Sequence, residues 1–359
     1  MSRFWSDHIH ALQPYEPGEQ PKQKLLKLNT NEHAYGPSPK VLEAIAAVTN
    51  DDLRLYPPYD SAALTVAIAE LHQVGADQVF LGNGSDEVLA HVFNTLFLRA
   101  GRPLLMPDIT YSFYKTYCSF FGVPAELQPL ADDFTINVAD YTRPREVAPA
   151  AIIFANPNAP TGLALSLADI AAIAQANPDS AVVVDEAYVD FGAESAVGLM
   201  QQYENIVVIH TLSKSYALAG LRVGYALASP EVVAGLQRVK DSFNSYPLDT
   251  LAQAGALAAI QDRADFDKKR TAIIQSRDEL TVALQALGFD VLDSKTNFVF
   301  ARHRQVDAKH IHQALRDHGI LVRHFNQPRI DQFLRITIGT PEQCATLLTA
   351  LREILSAQQ

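Results

Sequence analysis

The chain has 359 residues, of which 48% are hydrophobic, and carries a formal net charge of -11. This length exceeds the roughly 100–200 residues that are typical of one domain, so we expect two domains with substantial cores. The acidic balance argues against a general nucleic-acid binder, because phosphate neutralisation needs a concentrated basic face, and the sequence contains none. A small-molecule partner fits better. The two cysteines, Cys118 and Cys344, form no close pair, so we expect neither a disulfide framework nor a thiolate metal site.

Residues 1–30 read as an N-terminal arm. They mix Pro, Gly, Gln and Lys without a sustained apolar period, which is typical of an extended segment that lies across another surface. The same segment lacks the apolar core of a signal peptide, and no later apolar run approaches the roughly 20 residues that a membrane span needs. We therefore expect a soluble, cytoplasmic protein.

Residues 31–245 alternate short apolar runs with helical patterns. The runs are continuous rather than alternating, which indicates a mostly parallel sheet that is covered by helices on both faces. We predict a large three-layer α/β/α domain with strands at 79–82, 103–107, 150–155, 181–188, 206–211 and 223–229.

Residues 246–359 begin with the pattern of a long helix, and Gly288 suits its C-terminal cap. The apolar stripe of that helix comprises Phe266, Ile273, Leu280, Leu284 and Leu287. We predict a smaller α+β domain with strands at 297–301, 320–325 and 333–339 and helices near 307–318 and 341–357.

Polar residues follow several of the predicted strands of the large domain, where open α/β sheets bind their ligands. In "GNGSDE" (82–87), Gly84 allows close approach of an anion, and Ser85 is a plausible N-cap of the next helix. The free N–H groups of that helical turn could hold a phosphate, although an ordinary capped helix explains the motif equally well. In "NPNAPTG" (156–162), Asn158 offers a donor and an acceptor, but the segment could be a turn only.

Asp185 ends a run of three valines, where an unpaired carboxylate is costly to desolvate, so it needs a partner. A structural ion pair or a helix cap would also meet that need. Lys214 lies between two serines directly after an apolar run. A phosphate cradle, an amide, a carboxylate and a lysine at one sheet edge suit pyridoxal 5'-phosphate, whose aldehyde condenses with a lysine amine. Ser213 and Arg222 would complete the phosphate site.

With these motifs the chain resembles the fold-type I pyridoxal-phosphate-dependent aminotransferases, and among them the histidinol-phosphate aminotransferase family. The resemblance covers nearly the whole chain, and it is carried by "PYEPGE" (14–19), "LNTNEHAYGPSP" (28–39), "RLYP" (54–57), "GNGSDE", "PDITYSFY" (107–114), "NPNAPTG", "DEAY" (185–188), "TLSKSYALAGLRVGY" (211–225), "TNFVF" (296–300) and "LRITIGT" (334–340).

The resemblance implies a role for each matching residue. Lys214 would form the covalent link to the cofactor, Asp185 would pair with the ring nitrogen, and Asn158 and Tyr188 would bind the phenolic oxygen. The ring would stack on Tyr111. The phosphate would be held by Ser85, Asp86, Ser213, Arg222 and, from the neighbouring subunit of a homodimer, Tyr56.

For the substrate, the resemblance implies Tyr15, Arg323 and Arg335, together with Asn158. Two guanidinium groups bind phosphate and carboxylate alike, so one site could accept both histidinol phosphate and glutamate. Arg323 alone could be an exposed strand residue, whereas Arg335 lies between apolar residues and needs a partner. The chain departs from the family pattern at His33, Ala34 and Ala159, which bears on the local geometry of the arm and the turn.

The implied function is reversible transamination between L-histidinol phosphate and 2-oxoglutarate in histidine biosynthesis. Alternatives on the same scaffold are an aromatic amino-acid aminotransferase, a decarboxylase of a phosphorylated amino acid, and a cofactor-binding regulator without catalysis. A metal hydrolase is disfavoured, because His303, His310 and His312 lack the i, i+4 histidine pair with glutamate of helical zinc proteases. No metal is expected.

Overall fold

The structure, a computed structural model, describes residues 2–15, 18–22 and 25–357. Its helices are α1 (Asp7–Ala11), α2 (Pro39–Ala47), α3 (Ala62–His72), α4 (Gly84–Val92), α5 (Phe113–Phe121), α6 (Ala139–Thr142), α7 (Leu167–Ala176), α8 (Pro230–Phe243), α9 (Thr250–Gln261), α10 (Arg263–Ala286), α11 (Ala308–Asp317) and α12 (Pro341–Ser356). Its strands are β1 (Leu26–Lys27), β2 (Val79–Asn83), β3 (Leu104–Pro107), β4 (Ala125–Gln128), β5 (Ala151–Ala155), β6 (Ala181–Asp185), β7 (Ile206–Thr211), β8 (Val223–Leu227), β9 (Phe289–Val291), β10 (Phe298–His303), β11 (Ile320–Leu321), β12 (Arg323–His324) and β13 (Leu334–Thr337).

The large sheet has seven strands in the order β2-β8-β7-β6-β5-β3-β4. All neighbouring pairs are parallel except those of β8, which runs antiparallel to β2 and to β7. The predicted mostly parallel α/β sheet is therefore confirmed. The carboxyl ends of β2, β3, β5, β6 and β7 meet at one edge, and that edge carries the candidate site.

The central strands are continuously apolar because both of their faces are covered. In β6, Val182 and Val184 belong to one core and Val183 to the core on the opposite face. Strand β7 divides in the same way between Val208 and Val207. Successive side chains of a strand point to opposite faces, so a strand that is buried on both sides needs an apolar residue at every position.

The second sheet is antiparallel, in the order β12-β13-β10-β9, and packs with α10, α11 and α12 around its own core. Helix α12 begins with a capping box in which Thr340 and Gln343 bond each other's backbone N–H groups. This second sheet and the helices α10, α11 and α12 are called the small unit, and the seven-stranded sheet with its helices is called the large unit. The arm joins the small unit, because β1 pairs in parallel with β11. Residues at the start of the chain are thus held by its C-terminal part.

Helices α9 and α10 show where the two cores meet. Ala252, Ala256 and Ile260 of α9 pack in the core of the large sheet, although α9 follows the predicted boundary at residue 245. Helix α10 begins against the large unit, where Phe266 packs on Tyr216, and ends in the core of the small unit. The division of the chain into domains stays a proposal, and the packing supports a boundary inside the α9–α10 segment rather than at residue 245.

Short strands are the main difference from the sequence-based prediction. Strands β1, β4 and β9 were not predicted, and the predicted strand 320–325 is divided into β11 and β12, which join different sheets. Of the helices in the described part of the chain, none combines the length and the apolar character needed to cross a membrane.

Candidate active site

A cavity of about 200 Å³ opens at the carboxyl edge of the large sheet. Its walls come from the ends of β5, β6 and β7, the first turn of α4, and a segment directly after the arm. The predicted site residues that line it are Ser85, Asp86, Tyr111, Asp185, Tyr188, Ser213, Lys214 and Arg222. Residues that are far apart in the sequence are therefore brought together as predicted, because parallel strands end at the same edge.

One end of the cavity is built for an anion. Ser85 lies in the first turn of α4, whose free N–H groups and dipole favour negative charge. Arg222 stands opposite, with Nη1 3.5 Å from Ser213 Oγ and Nη2 donating to Asp86 Oδ2 at 3.0 Å. Gly84 has φ +79° and leaves room for that guanidinium, since a Cβ there would lie 2.5 Å from Arg222 Nη2.

The N-cap of α4 differs from the prediction. Helix α4 begins at Gly84, so Asn83 is the N-cap and Ser85 lies inside the first turn. Glu87 reaches back and its Oε2 accepts from the Asn83 N–H at 2.5 Å. That bond satisfies the N–H of the N-cap from the first turn, and the helix starts two residues earlier than it would with a serine cap. The hydroxyl of Ser85 is thus not needed as a cap.

Asp185 is the buried carboxylate at the end of β6, with 5% of its surface exposed. Its Oδ2 accepts from the Tyr114 hydroxyl at 2.6 Å and its Oδ1 from the Ala187 N–H at 3.3 Å, and no other hydrogen bond from the described residues reaches this carboxylate. Burial raises the pKa of Asp185 to about 6, against the effect of these two bonds. A cationic partner in the cavity would favour the charged form and offset this desolvation.

Lys214 and Tyr188 face each other across the cavity. Lys214 lies in the turn after β7, and its Nζ is 5.7 Å from the centroid of the Tyr188 ring. The Tyr188 ring also packs edge-on against Phe298 of the small unit, and its hydroxyl accepts from Asn31 Nδ2 at 2.8 Å. The amine is therefore held close to a tyrosine that the small unit positions.

Tyr111 forms an aromatic wall of the cavity. Its ring meets that of Tyr114 edge-on at 5.5 Å, and its hydroxyl donates to Asp86 Oδ1 at 3.2 Å. Burial raises the pKa of Tyr111 well above its ordinary value, with Asp86 adding to the effect. The ring is thus neutral and oriented, as a stacking surface for a planar ligand requires.

Asn158 lies in the turn after β5 and is not among the residues that line the cavity. Its side chain is directed into the turn, where Nδ2 donates to Ile109 O at 3.0 Å and to Thr161 Oγ1 at 3.1 Å. Its Oδ1 accepts from the Thr110 hydroxyl at 2.8 Å. Both amide hydrogens are used, and the neighbouring Ala159 lines the cavity instead. In this structure the Asn158 amide shapes the turn, and its binding to the phenolic oxygen of a cofactor stays a prediction.

Sequence reasoning missed several residues of the site. Thr30 and Glu32 line the cavity from the end of the arm and the segment directly after it, and Thr211 lines it from the end of β7. Tyr114 orients Asp185 without lining the cavity. The motifs that contain Thr30, Glu32 and Tyr114 were noticed, but nothing local shows which side chain of such a motif faces a ligand.

Arg323 and Arg335 lie on neighbouring strands of the small sheet, next to the cavity. In the part of the chain that the structure describes, neither forms an ion pair. Arg335 Nη2 donates to Asn29 O at 2.9 Å, and its guanidinium lies 5.4 Å from the Phe298 ring centroid. Burial lowers the pKa of Arg335, whereas Tyr188 and Tyr15 act in the opposite direction, which places both tyrosines near it. Two neighbouring guanidinium groups without an acidic partner have the chemistry to bind an anionic ligand.

Tyr15 and Tyr56 remain outside the wall of this cavity. Tyr15 packs on Phe113, with 5.0 Å between ring centroids. Tyr56 is 82% exposed and stacks on Tyr246 at 4.7 Å. Such exposure is unusual for an aromatic pair and leaves the Tyr56 hydroxyl available to a second molecule.

Comparison with known proteins gives the family. The family model of aminotransferase class I and II matches residues 23–351. The chain is 58% identical to histidinol-phosphate aminotransferase 1 of Bordetella parapertussis, over 99% of this chain and 100% of that protein. It is 56% identical to histidinol-phosphate aminotransferase of Gluconacetobacter diazotrophicus, over 99% of each.

A solved structure agrees with these sequence comparisons. Histidinol-phosphate aminotransferase from Sinorhizobium meliloti, in complex with pyridoxal-5'-phosphate, superposes with a TM-score of 0.88 at 25% identity, over 100% of this chain and 99% of that one. The similarity of sequence and of fold therefore extends over both units and over the segments that form the cavity. This chain belongs to the class I and II aminotransferases, in the histidinol-phosphate aminotransferase family.

Proposed function

We propose that the chain is a pyridoxal-phosphate-dependent aminotransferase that transfers an amino group between L-histidinol phosphate and 2-oxoglutarate, giving imidazole-acetol phosphate and glutamate. The observation that carries the proposal is that Lys214 and Asp185 line one cavity, which has an anion site at its end. Arg323 and Arg335, which have no acidic partner among the described residues, lie beside it. This arrangement matches a phosphorylated cofactor and a separate anionic substrate. The reaction belongs to histidine biosynthesis, and we propose a cytoplasmic location.

The cavity fits pyridoxal phosphate on three counts. Ser85, Asp86 through its backbone N–H, Ser213 and Arg222 would hold the phosphate, with Gly84 leaving room for the guanidinium. Asp185, a carboxylate without a cationic partner among the described residues, would pair with a protonated ring nitrogen, and the ring would lie on Tyr111. When bound, the cofactor supplies an aldehyde that takes up the amino group and a cationic ring that withdraws electrons from the reacting carbon.

Three residues of the chain would then have separate roles in the reaction. Lys214 Nζ would hold the cofactor covalently until substrate arrives, and afterwards take the proton from the substrate Cα. Asp185 would keep the ring nitrogen charged, since an opposite charge at close range favours the protonated form. Tyr188 would donate to the phenolic oxygen.

Arg323 and Arg335 would bind the substrate anion, with Tyr15 covering it from the arm. A guanidinium fork suits a phosphate and a carboxylate equally, which lets one site serve both half-reactions. Aromatic amino acids would present only a carboxylate to this pair. The full-length similarity to histidinol-phosphate aminotransferases favours the phosphorylated substrate over that alternative.

We also propose a homodimer in which Tyr56 of one subunit reaches the phosphate site of the other. The exposure of the Tyr56–Tyr246 stack supports this arrangement. It can be tested by mixing Lys214→Ala subunits with Tyr56→Ala subunits under conditions of subunit exchange. Each heterodimer would contain one intact site, so an equal mixture should recover roughly a quarter of wild-type activity. A mixture as inactive as its parents would contradict shared sites.

The experiment that tests the function is the visible absorbance of the purified protein before and after addition of L-histidinol phosphate without an oxo acid. Rapid loss of the cofactor band with histidinol phosphate, and slow loss with phenylalanine, would support the proposal. Faster reaction with phenylalanine would favour an aromatic aminotransferase. Trapped carbon dioxide from a phosphorylated amino acid would indicate a decarboxylase.

A further inference from the structure

The hydroxyl of Tyr188 has a partner that neither the sequence analysis nor the proposed function assigns. Asn31 Nδ2 donates to the Tyr188 oxygen at 2.8 Å. Asn31 is 1% exposed and adopts φ +56°, a conformation that asparagine tolerates better than most residues. A buried side chain in a left-handed conformation is held there by its surroundings, and those surroundings lie in the small unit.

Three bonds fix Asn31 to that unit. Its backbone N–H donates to Thr337 Oγ1 at 3.0 Å, and the Thr337 hydroxyl donates to Asn31 Oδ1 at 3.1 Å. Asn297 Nδ2 donates to the Asn31 carbonyl at 3.0 Å. Because Thr337 accepts from the backbone and donates to Oδ1, the nitrogen end of the Asn31 amide is the end that faces Tyr188.

This orientation determines the direction of the tyrosine proton. A phenol has one hydrogen to donate and oxygen lone pairs that accept. With Asn31 donating to the oxygen, the Tyr188 hydrogen is free for an acceptor in the cavity. A hydroxyl that accepts one bond also donates a stronger one, since hydrogen bonds in a chain polarise one another.

No side-chain amide in the described cavity wall duplicates this bond. Asn158 uses both amide hydrogens inside its turn, and Ala159, which lines the cavity beside it, has no polar side chain. A cofactor bound in the cavity would therefore meet the Tyr188 hydroxyl at this wall, and the direction of that hydroxyl depends on Asn31.

We propose that Asn31 is a positioning residue that makes Tyr188 a directed hydrogen-bond donor to the phenolic oxygen of the cofactor. This inference rests on the proposed function, because it requires pyridoxal phosphate on Lys214. Thr337 lies two residues from Arg335 on β13, so the same strand carries the anchor of Asn31 and a substrate-binding arginine. The direction in which the Tyr188 hydroxyl donates therefore depends on the position of the small unit.

The test is the pH midpoint of the visible absorbance change of the bound cofactor. A donor to the phenolic oxygen stabilises its negative charge, which lowers the affinity of the adjacent Lys214 nitrogen for its proton. Removing the donor should raise the midpoint. The charged or titratable groups that face Tyr188 are Lys214 Nζ, Asp185, Tyr111, Tyr114 and Arg335, and none is altered by changes at position 31.

Four variants carry the experiment. Tyr188→Phe should raise the midpoint by roughly one to two pH units, as expected for a lost hydrogen bond to a charged group. Asn31→Gly keeps the left-handed conformation and should raise the midpoint in the same direction. Asn31→Asp is isosteric, but its carboxylate accepts the tyrosine proton, so the midpoint should rise by nearly as much as in Tyr188→Phe. In the double variant Asn31→Gly/Tyr188→Phe the glycine should add no further shift.

Thr337 provides a conservative rescue. Thr337→Val removes the anchor of Asn31 at similar volume and should raise the midpoint, whereas Thr337→Ser keeps the hydroxyl and should leave it near the wild-type value. An unchanged midpoint in both Asn31 variants, or an equal shift by Asn31→Gly with and without Tyr188, would overturn the inference. Failure of the proposed function would look different, because the wild-type protein would then lack a visible band or keep it after addition of histidinol phosphate.

Discussion

Arg323 and Arg335 are directly opposite each other on the antiparallel strands β12 and β13. Like charges in that position repel and destabilise a sheet. Arg323 also contributes to the lowered pKa of Arg335, for which burial is the main cause. A pair that costs stability in the free protein and lacks an acidic partner among the described residues supports the proposal that these arginines bind an anion.

Replacing Arg323 should therefore separate stability from function. In Arg323→Gln we expect the melting temperature of the protein without substrate to stay level or rise, because the repulsion is relieved. The KM for histidinol phosphate should rise at least about tenfold, the equivalent of roughly 1.4 kcal/mol. Arg302→Gln, which changes an exposed arginine on the adjacent β10, is the matched control and should leave KM unchanged. Equal effects of the two changes on KM would contradict the assignment.

Two glycines with similar backbone conformations test the phosphate site. Gly84 and Gly101 have φ +79° and +75°, but an added Cβ meets Arg222 at Gly84 and nothing within 4 Å at Gly101. Alanine at either position should cost about 1–3 kcal/mol of stability through backbone strain. Only Gly84→Ala should also weaken binding of pyridoxal phosphate, because Arg222 is displaced. Titration of the apoprotein with cofactor measures this, and equal cofactor affinity in the two variants would exclude a role for the contact.

Asp185 should make the apoprotein less stable as the pH rises. Its folded pKa of about 6 lies above the value of 3.8 for an exposed aspartate, so the folded state binds the proton more tightly. The stabilisation that Asp185 contributes to the folded state is therefore fully present below about pH 4. It is lost as the pH rises through 6, and the loss amounts to about 2–3 kcal/mol in total.

The measurement is the free energy of unfolding of the apoprotein between pH 4 and pH 8, for wild type and Asp185→Asn. As the pH rises from 4 to 8, the free energy of unfolding of Asp185→Asn relative to that of wild type should increase by this amount. Cofactor binding by Asp185→Asn should nevertheless be weaker than by wild type. Asp317→Asn, at an exposed position of α11, controls for the loss of one carboxylate. Parallel pH profiles of wild type and Asp185→Asn would show that burial does not perturb Asp185.

Lys214→Ala should abolish steady-state turnover, since no other amine is expected to replace Nζ. Treatment of the loaded protein with borohydride and mass measurement should then show no covalently retained cofactor. Lys309→Ala removes an exposed lysine on α11 and should retain both turnover and the attached cofactor. Near-normal turnover in Lys214→Ala would refute the assignment.

The sequence was sufficient for the elements whose burial is uniform. Runs such as 151–155 and 181–184 are apolar at every position and were predicted to lie in strands of a mostly parallel sheet, and they do. Strand β4 was missed because it lies at the edge of the sheet and its first three residues are only partly buried or exposed. A short half-exposed strand has no pattern that distinguishes it from a loop.

The site shows the same limit at the level of single side chains. Asn158 and Ala159 are adjacent in one turn, and only the folded backbone decides that Ala159 faces the cavity. Thr30 and Glu32 line the cavity because a distant strand holds the arm, which is a contact that no local pattern contains. Residue type and spacing predicted the chemistry of the site, whereas side-chain direction depended on long-range pairing.

The pairing of β1 with β11 also has a consequence for the order of assembly. A nascent chain emerges from the ribosome with its N-terminus first, and its domains generally fold in that order. Residues 26–27 must nevertheless wait for residues 320–321, which are synthesised only after every strand of the large sheet. The wall formed by Thr30 and Glu32, and the anchoring of Asn31 on Thr337, are therefore completed only after β11 and β13 have been synthesised. A ribosome-bound chain that stops before residue 320 would contain the lysine and the large sheet but no finished cavity.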